Sequence, residues 1–246
     1  MPISPNFTSV FSREWEINFT QCLSNGYLKY PELCNILQLT AATHSEVGGI
    51  SFTDMQEFNQ AWVLSRMRVE INELPKWRDI ITVNTWIISL ENSRSIRAFE
   101  VLSNGKKIIG SETFWVVFNT EKRRPEGLAL PYNHFELFPD KNATKERFSK
   151  IELQEDKEML FTKIVSLSDL DIVNHVNNTK YLEWCLDLAD AEVILNQQIK
   201  SFEMNFIKEL SLKEEFIIHE TILDKSTIFN ITKEDKSCFA LQLNLE

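Results

Sequence analysis

The sequence predicts an α+β chain made of two similar units, each a single long helix wrapped by its own antiparallel sheet. Three observations carry that expectation. Two segments have apolar residues at helical spacing, near 30–44 and 179–194. Each is followed by several short runs rich in β-branched and aromatic residues. A charged, proline-bearing stretch over 120–158 separates the two sets.

In chain order, Trp15 to Thr20 (WEINFT) alternates as a short strand does. The helix Tyr30–His44 (YPELCNILQLTAATH) begins with Pro31 and carries Leu33, Ile36, Leu37 and Ala41 along one face. Gly48 and Gly49 stop it. Strands are expected at 61–71, 79–90, 95–103 and 107–119, with SNGK as the turn between the last two. Residues 120–158 hold Pro125, Pro131 and Pro139 and few periodic apolar positions, as a linker across the surface would. EMLFTKIVSL (158–167) reopens the pattern as a strand, and TKYLEWCLDLADAEVI (179–194) follows as a helix apolar on most sides. Strands are expected again at 199–210, 214–224, 226–233 and 237–246. The expected units are 1–130, a linker over 131–157, and 158–246, with their sheets paired edge to edge so that edges are protected.

Composition narrows the function. Of 246 residues, 43% are hydrophobic and 25% charged, and the formal charge of −10 disfavours nucleic acid as a partner. No run approaches the ~20 apolar residues of a membrane span. The N-terminus lacks a basic region followed by an apolar stretch, so no secretory signal is expected. Cys22, Cys34, Cys185 and Cys238 are too scattered for a zinc site or a disulfide scaffold, which fits reduced thiols in a cytoplasm. Cations concentrate between 66 and 124, among them Arg66, Arg68, Lys122, Arg123 and Arg124. They read either as solvated strand faces or as a docking surface for an acidic partner.

The segment SDLDIVNHVNNTKYLEWCLD (168–187) gathers the chemistry. Asp169, Asp171, His175, Asn177 and Asn178 stand at the mouth of the second helix. A helix start offers unpaired N–H groups to a developing oxyanion, and an imidazole suits proton transfer near neutrality. Taken singly, each residue has a structural explanation: an Asn caps a helix, an Asp forms a turn. Together they are the parts of an acyl-transfer or hydrolysis site. There is no G-x-S-x-G elbow, H-E-x-x-H pair, Walker loop or Rossmann glycine pattern.

SDLDIVNHVNNTKYLEW closely resembles the catalytic-loop signature of the acyl-acyl carrier protein (ACP) thioesterases, which are double-hotdog enzymes. LCNILQLTAATHSEVGG (33–49), NQAWVLSRMRVEINELPKWRDIITVNTW (59–86) and SETFWVVFNTEKRRP (111–125) resemble further blocks of that family, in the same order. The resemblance implies a tandem hotdog and hydrolysis of a fatty acyl-ACP thioester to a free fatty acid, without cofactor or metal. It places the catalytic Asp on Asp171, the His on His175 and a Glu of the following strand on Glu209. The family's Asn two residues after the Asp is here Val173, with Asn174 next; a shifted loop, a backbone N–H or Asn177 would have to serve instead. The Cys that often follows the Glu in plant members is Leu210, which weighs against a cysteine nucleophile. The acidic partner is then acyl carrier protein, met by Arg66, Arg68, Lys122, Arg123 and Arg124, and the acyl chain is expected near Phe52, Phe58, Trp62 and Leu64. Two fused units either satisfy hotdog dimerisation within one chain or form a further homodimer. An acyl-coenzyme A thioesterase of the same fold and a non-catalytic acyl-binding module are the alternatives.

Overall fold

The computed structural model describes residues 3–245; Met1, Pro2 and Glu246, the last residue of the final expected strand, lie outside the described residues. The first half contains β1 (Val10–Glu16), α1 (Tyr30–Val47), α2 (Phe52–Gln56), β2 (Gln60–Ile71), β3 (Ile80–Glu91), β4 (Arg94–Ser103), β5 (Lys106–Asn119) and β6 (Arg124–Pro125). The second contains β7 (Glu158–Ile164), α3 (Asn178–Leu186), α4 (Ala191–Leu195), β8 (Ile199–Phe206), β9 (Glu215–Ile222), β10 (Ser226–Lys233) and β11 (Lys236–Leu245). All strands join one antiparallel sheet in the order β1-β3-β4-β5-β2-β8-β11-β10-β9-β7, with the short β6 beside β5.

The halves meet where β2 pairs with β8, Met67 opposite Met204 and Val69 opposite Phe202. These four side chains are buried in one core with Leu33, Ile36 and Leu37 of α1 and Tyr181, Leu182 and Cys185 of α3. Each buried side chain of this size contributes about 2 kcal/mol, so the core runs unbroken across the seam. Asn178 of α3 donates to Gln38 of α1 at 3.1 Å, which fixes the start of one helix against the other.

Local chemistry sets the element ends. Pro31 occupies the first turn of α1, and Gly49 takes a left-handed conformation (φ 72°) just beyond it. β1 starts earlier than expected and stops before Thr20, because the Asn18 N–H turns back to Gln21 Oε1 at 3.1 Å. A bulge at Ser65, between Leu64 and Arg66, keeps Trp62, Leu64, Met67 and Val69 on one face of β2. The helix expected at 179–194 is two pieces: Asp190 Oδ1 accepts the Glu192 N–H at 2.9 Å and caps a separate α4.

The inner face also carries an unusual polar contact. His44 of α1 is buried between Phe7, Phe11 and Phe135, and its Nε2–H donates to the Thr8 carbonyl at 3.0 Å. Its bare Nδ1 therefore accepts from the guanidinium of buried Arg97, 2.8 Å away, which also reaches Thr85 Oγ1 at 3.3 Å. Burial and the neighbouring cation depress the His44 pKa to about 3, and burial lowers that of Arg97 to about 10.

Residues 126–157 form no helix or strand, yet residues 143–151 of this segment are bound to the outer face of the sheet. The sheet's side chains satisfy this strap's backbone. Ala143 N–H donates to Glu112 at 3.0 Å, Lys145 and Glu146 N–H donate to Glu70 at 2.8 and 3.1 Å, and Ser149 N–H donates to Glu203. Ile151 N–H donates to Asn205 Oδ1 at 3.0 Å, and the Ala143 carbonyl accepts from Lys107 at 2.7 Å. An irregular segment can lie on a sheet only if its polar groups find such partners. Gly110 of β5 leaves room for it, since a Cβ there would sit 2.0 Å from the Ala143 carbonyl oxygen. Gly110→Ala is therefore expected to cost about 1–3 kcal/mol, read as a lower urea midpoint; an unchanged midpoint would show that the strap adds no stability.

Candidate active site

The loop before α3 is shaped by its own backbone. Ser166 N–H donates to Asp169 Oδ2 at 2.8 Å, closing a short turn, and a bridge between Leu170 and Val176 pinches off residues 171–175. Within the pinch the Asp171 N–H donates to the His175 carbonyl at 2.9 Å and the Asn174 N–H to the Asp171 carbonyl at 3.0 Å. Asn174 has φ 65°, a conformation that Asn tolerates better than a β-branched residue such as Val173 would. Asp171 Oδ1 accepts the N–H groups of Val173 (3.0 Å) and His175 (3.3 Å). The carboxylate thus fixes the turn that carries the imidazole, holding its backbone rather than its ring.

Glu209 comes to His175 from a loop, where the sequence placed it in a strand. β8 ends at Phe206, and the N–H groups of Ile207 and Lys208 both donate to the Cys238 carbonyl, at 2.8 and 3.0 Å, turning the chain off the sheet. The turned segment is held against the pinch. Val176 N–H donates to the Leu210 carbonyl at 3.1 Å, and Leu210 N–H donates to the Tyr181 hydroxyl at 3.0 Å. Glu209 Oε2 then lies 3.5 Å from His175 Nδ1. The same oxygen is 3.3 Å from Arg123 Nη2, contributed by the other half of the chain.

At the start of α3, Asn177 acts as the cap: its Oδ1 accepts the Thr179 N–H at 3.0 Å and the Thr179 hydroxyl at 2.9 Å. Its carbonyl accepts the Lys180 N–H at 2.9 Å. Cys185 is fully buried two turns further on, where burial raises its thiol pKa well above the usual value. A thiol so enclosed and held neutral reads as a core residue rather than a nucleophile.

The remaining expected site residues fall in different places. Leu64 is buried and Trp62 half-buried on the inner face of β2, with the Trp62 indole donating to the Ile50 carbonyl at 3.3 Å. Phe52 opens α2 and Phe58 follows it, both exposed. Among the basic residues, Arg68 is a correction. It is 7% exposed beneath the strap and bonded to Glu70, Glu146 and Glu203 at 3.1, 2.7 and 3.4 Å, so it has no surface to offer a partner. Arg66 is half-buried two residues away, Lys122 is bonded to Glu126 at 3.3 Å, and Arg123 and Arg124 are exposed. Sequence reasoning overlooked an apolar apron around His175: Leu167, Ile172, Val173 and Ile207 are exposed, Ile172 to 92%. Four large apolar side chains on one pair of adjoining loops were the available signal.

The first half holds the same loop without its reagents. A bridge joins Cys22 and Leu28 as Leu170 and Val176 are joined. The Leu23 N–H donates to the Tyr27 carbonyl at 2.8 Å, the Gly26 N–H to the Leu23 carbonyl at 2.9 Å, and the Leu28 N–H to the Pro75 carbonyl at 2.9 Å. Gly26, at φ 84°, stands where Asn174 stands. Leu23, Tyr27 and Leu74 accordingly take the places of Asp171, His175 and Glu209.

Comparisons with known proteins bear on the family and the fold. Residues 8–130 match the acyl-ACP thioesterase N-terminal domain, and residues 151–242 match the acyl-ACP thioesterase C-terminal domain. A chloroplastic palmitoyl-acyl carrier protein thioesterase of Gossypium hirsutum is 25% identical over 233 residues, 89% of this chain and 56% of that protein. Chloroplastic oleoyl-acyl carrier protein thioesterase 2 of Arabidopsis thaliana is 28% identical over 198 residues, 72% of this chain and 53% of that protein. The chain thus spans about half the length of the curated relatives it matches. The crystal structure of an acyl-ACP thioesterase from Bacteroides thetaiotaomicron superposes with a TM-score of 0.89 at 25% identity, covering 97% of this chain and 98% of that one. The 12:0-ACP thioesterase from Umbellularia californica shares the fold, with a TM-score of 0.80 at 20% identity over 97% of this chain and 98% of that one. The fold is a tandem hotdog.

Proposed function

We propose that this chain, which belongs to the acyl-ACP thioesterase family, hydrolyses the thioester between a fatty acyl group and acyl carrier protein and so releases a free fatty acid. The observation that carries the reading is the Glu209 carboxylate 3.5 Å from His175 Nδ1 at the mouth of α3. An Nδ1–H directed at Glu209 selects the tautomer whose Nε2 holds a lone pair. That nitrogen takes a proton from water as the water oxygen attacks the thioester carbon. The tetrahedral intermediate then breaks its C–S bond, and the proton passes from Nε2 to the departing sulfur. With the Thr179 and Lys180 N–H groups taken up by Asn177, the Asn178 N–H is the donor at this helix end that meets the oxyanion. Water attack is favoured over an anhydride on Asp171, because Oδ1 of that residue is bonded to two turn amides.

The carrier approaches over the basic turn 122–124, one side chain from His175. A chain of charge −10 meeting an acidic partner needs such a local positive face. Trp62 and Leu64 on the inner face of β2 are assigned to the acyl chain, with Phe52 and Phe58 at its rim. Four unpaired thiols suit a reducing compartment, read here as the cytoplasm. No helix among the described residues is long and apolar enough to cross a membrane. The β2–β8 seam joins two hotdogs within one chain, so a homodimer of whole chains would use another surface.

Release of free thiol from a panel of acyl-ACP substrates and the matching coenzyme A thioesters tests the reading. Turnover of at least one acyl-ACP, on the order of ten-fold or more above its coenzyme A counterpart in kcat/KM, is expected. Equal turnover of both carriers would reassign the partner to coenzyme A, and none with either would leave an acyl-binding module.

A further inference from the structure

The geometry points to Arg123 as a positioning residue that reaches from the first half of the chain to aim the Glu209 carboxylate at His175. The inference rests on the hydrolytic reading above.

The turn that presents Arg123 is rigid. Buried Asn119 accepts the N–H groups of Glu121 and Lys122 on Oδ1, at 3.1 and 2.7 Å, and donates to Glu126 at 2.8 Å. Thr120 N–H donates to the Asn59 carbonyl at 2.8 Å, and β6 returns along β5 with Arg124 opposite Asn119. Arg123 itself has φ 53°, and its guanidinium lies 5.5 Å from the Phe118 ring. Of the two long side chains beside it, Lys122 is bonded to Glu126. Arg123 is the residue of this turn whose contact leads into the site.

Glu209 needs such a partner. Its backbone is held through Leu210, but its side chain is 39% exposed, and an imidazole on one oxygen leaves a carboxylate free to rotate. A guanidinium on the same oxygen, 3.3 Å away and from the opposite half, restricts that rotation. In the emptied copy the place of Glu209 is taken by buried Leu74, which needs no polar anchor. Arg123 is 62% exposed on its side chain, so the pair adds little to folding stability. Its effect falls on the aim of a catalytic group, where small displacements cost much rate.

Arg123→Ala is expected to lower kcat on the order of ten-fold on acyl-ACP and on acyl-pantetheine alike, with KM for acyl-pantetheine and Tm unchanged. Arg123→Lys should recover part of the loss. In the Glu209→Gln background the arginine substitution should have no further effect. A raised KM for acyl-ACP with kcat unchanged would overturn the assignment and return Arg123 to docking alone. A readout that needs no turnover is the pair of His175 ring 15N resonances, which should move in Arg123→Ala and return partly in Arg123→Lys. Unmoved resonances overturn the positioning role. Moved resonances in a protein that releases no thiol uphold it and count against the hydrolase reading instead.

Discussion

Replacing His175 by alanine is expected to lower kcat about a thousand-fold, within the range seen for loss of a general base, and to change KM by less than about three-fold. In the mechanism proposed above the imidazole takes the proton from water and returns it to the leaving sulfur, so both steps lose their carrier at once. On the same reading, binding is made by the inner face of β2 and the basic turn, so it is expected to survive. Folding survives too, because the pinch at 171–175 is held by main-chain groups and the Asp171 carboxylate, none of which the substitution removes. Thiol release under saturating acyl-ACP, with Tm measured alongside, is the check. A variant with near-normal kcat would show that His175 transfers no proton, and Glu209 would have to be tested as the base that acts on water directly.

Acidification from pH 6.5 towards 3 is expected to remove stability amounting to several kcal/mol through His44 alone. The folded pKa, about 3, lies below the ordinary value of 6.5. Between those values the unfolded chain binds a proton that the folded one refuses, so stability is full above pH 6.5 and lost as pH falls through the window. A difference of this size corresponds to about 5 kcal/mol at its limit. The cause is visible in the contacts: Nδ1 faces the buried Arg97 guanidinium, and Nε2–H is already donated to Thr8. Carboxylates with lowered pKa, such as Glu70 and Glu214, add their own loss at lower pH. His44→Gln separates the contributions, since an amide can accept from Arg97 and donate to Thr8 without titrating. Urea midpoints of the two proteins should converge as pH falls from 6.5 to 4; parallel curves would mean that His44 is not the group responsible.

Periodicity made most of the framework legible. α1 and the strands β2 to β5 and β8 to β11 lie within a few residues of their expected bounds, because each buries a face whose spacing shows in the sequence. What it missed depended on partners far along the chain. Glu209 follows directly on a strand-like run, and only the Cys238 carbonyl, on another strand, turns it off the sheet. Arg68 is a charged residue in an exposed-looking alternation until the strap covers it. The strap has no period of its own, since its backbone is satisfied by side chains of β2, β5 and β8. At the site, Asp171, His175 and Asn177 were visible as a motif. Their division of labour was not, for it depends on which hydrogen bonds each accepts. Asn174 is explained by the left-handed turn it occupies rather than by the chemistry of its amide.

The loop at 22–28 shows that shape and reactivity are separable in this chain. The same pinch, with the same main-chain bonds, is made around Leu23 and Tyr27 as around Asp171 and His175. A pair of identical subunits would have to keep both copies alike, since one gene would encode them. A fused pair is under no such obligation, and one copy can lose its acid, base and carboxylate while the fold persists. On the reading proposed above, the second half carries the hydrolytic centre of the chain, while the loop at 22–28 keeps only its shape.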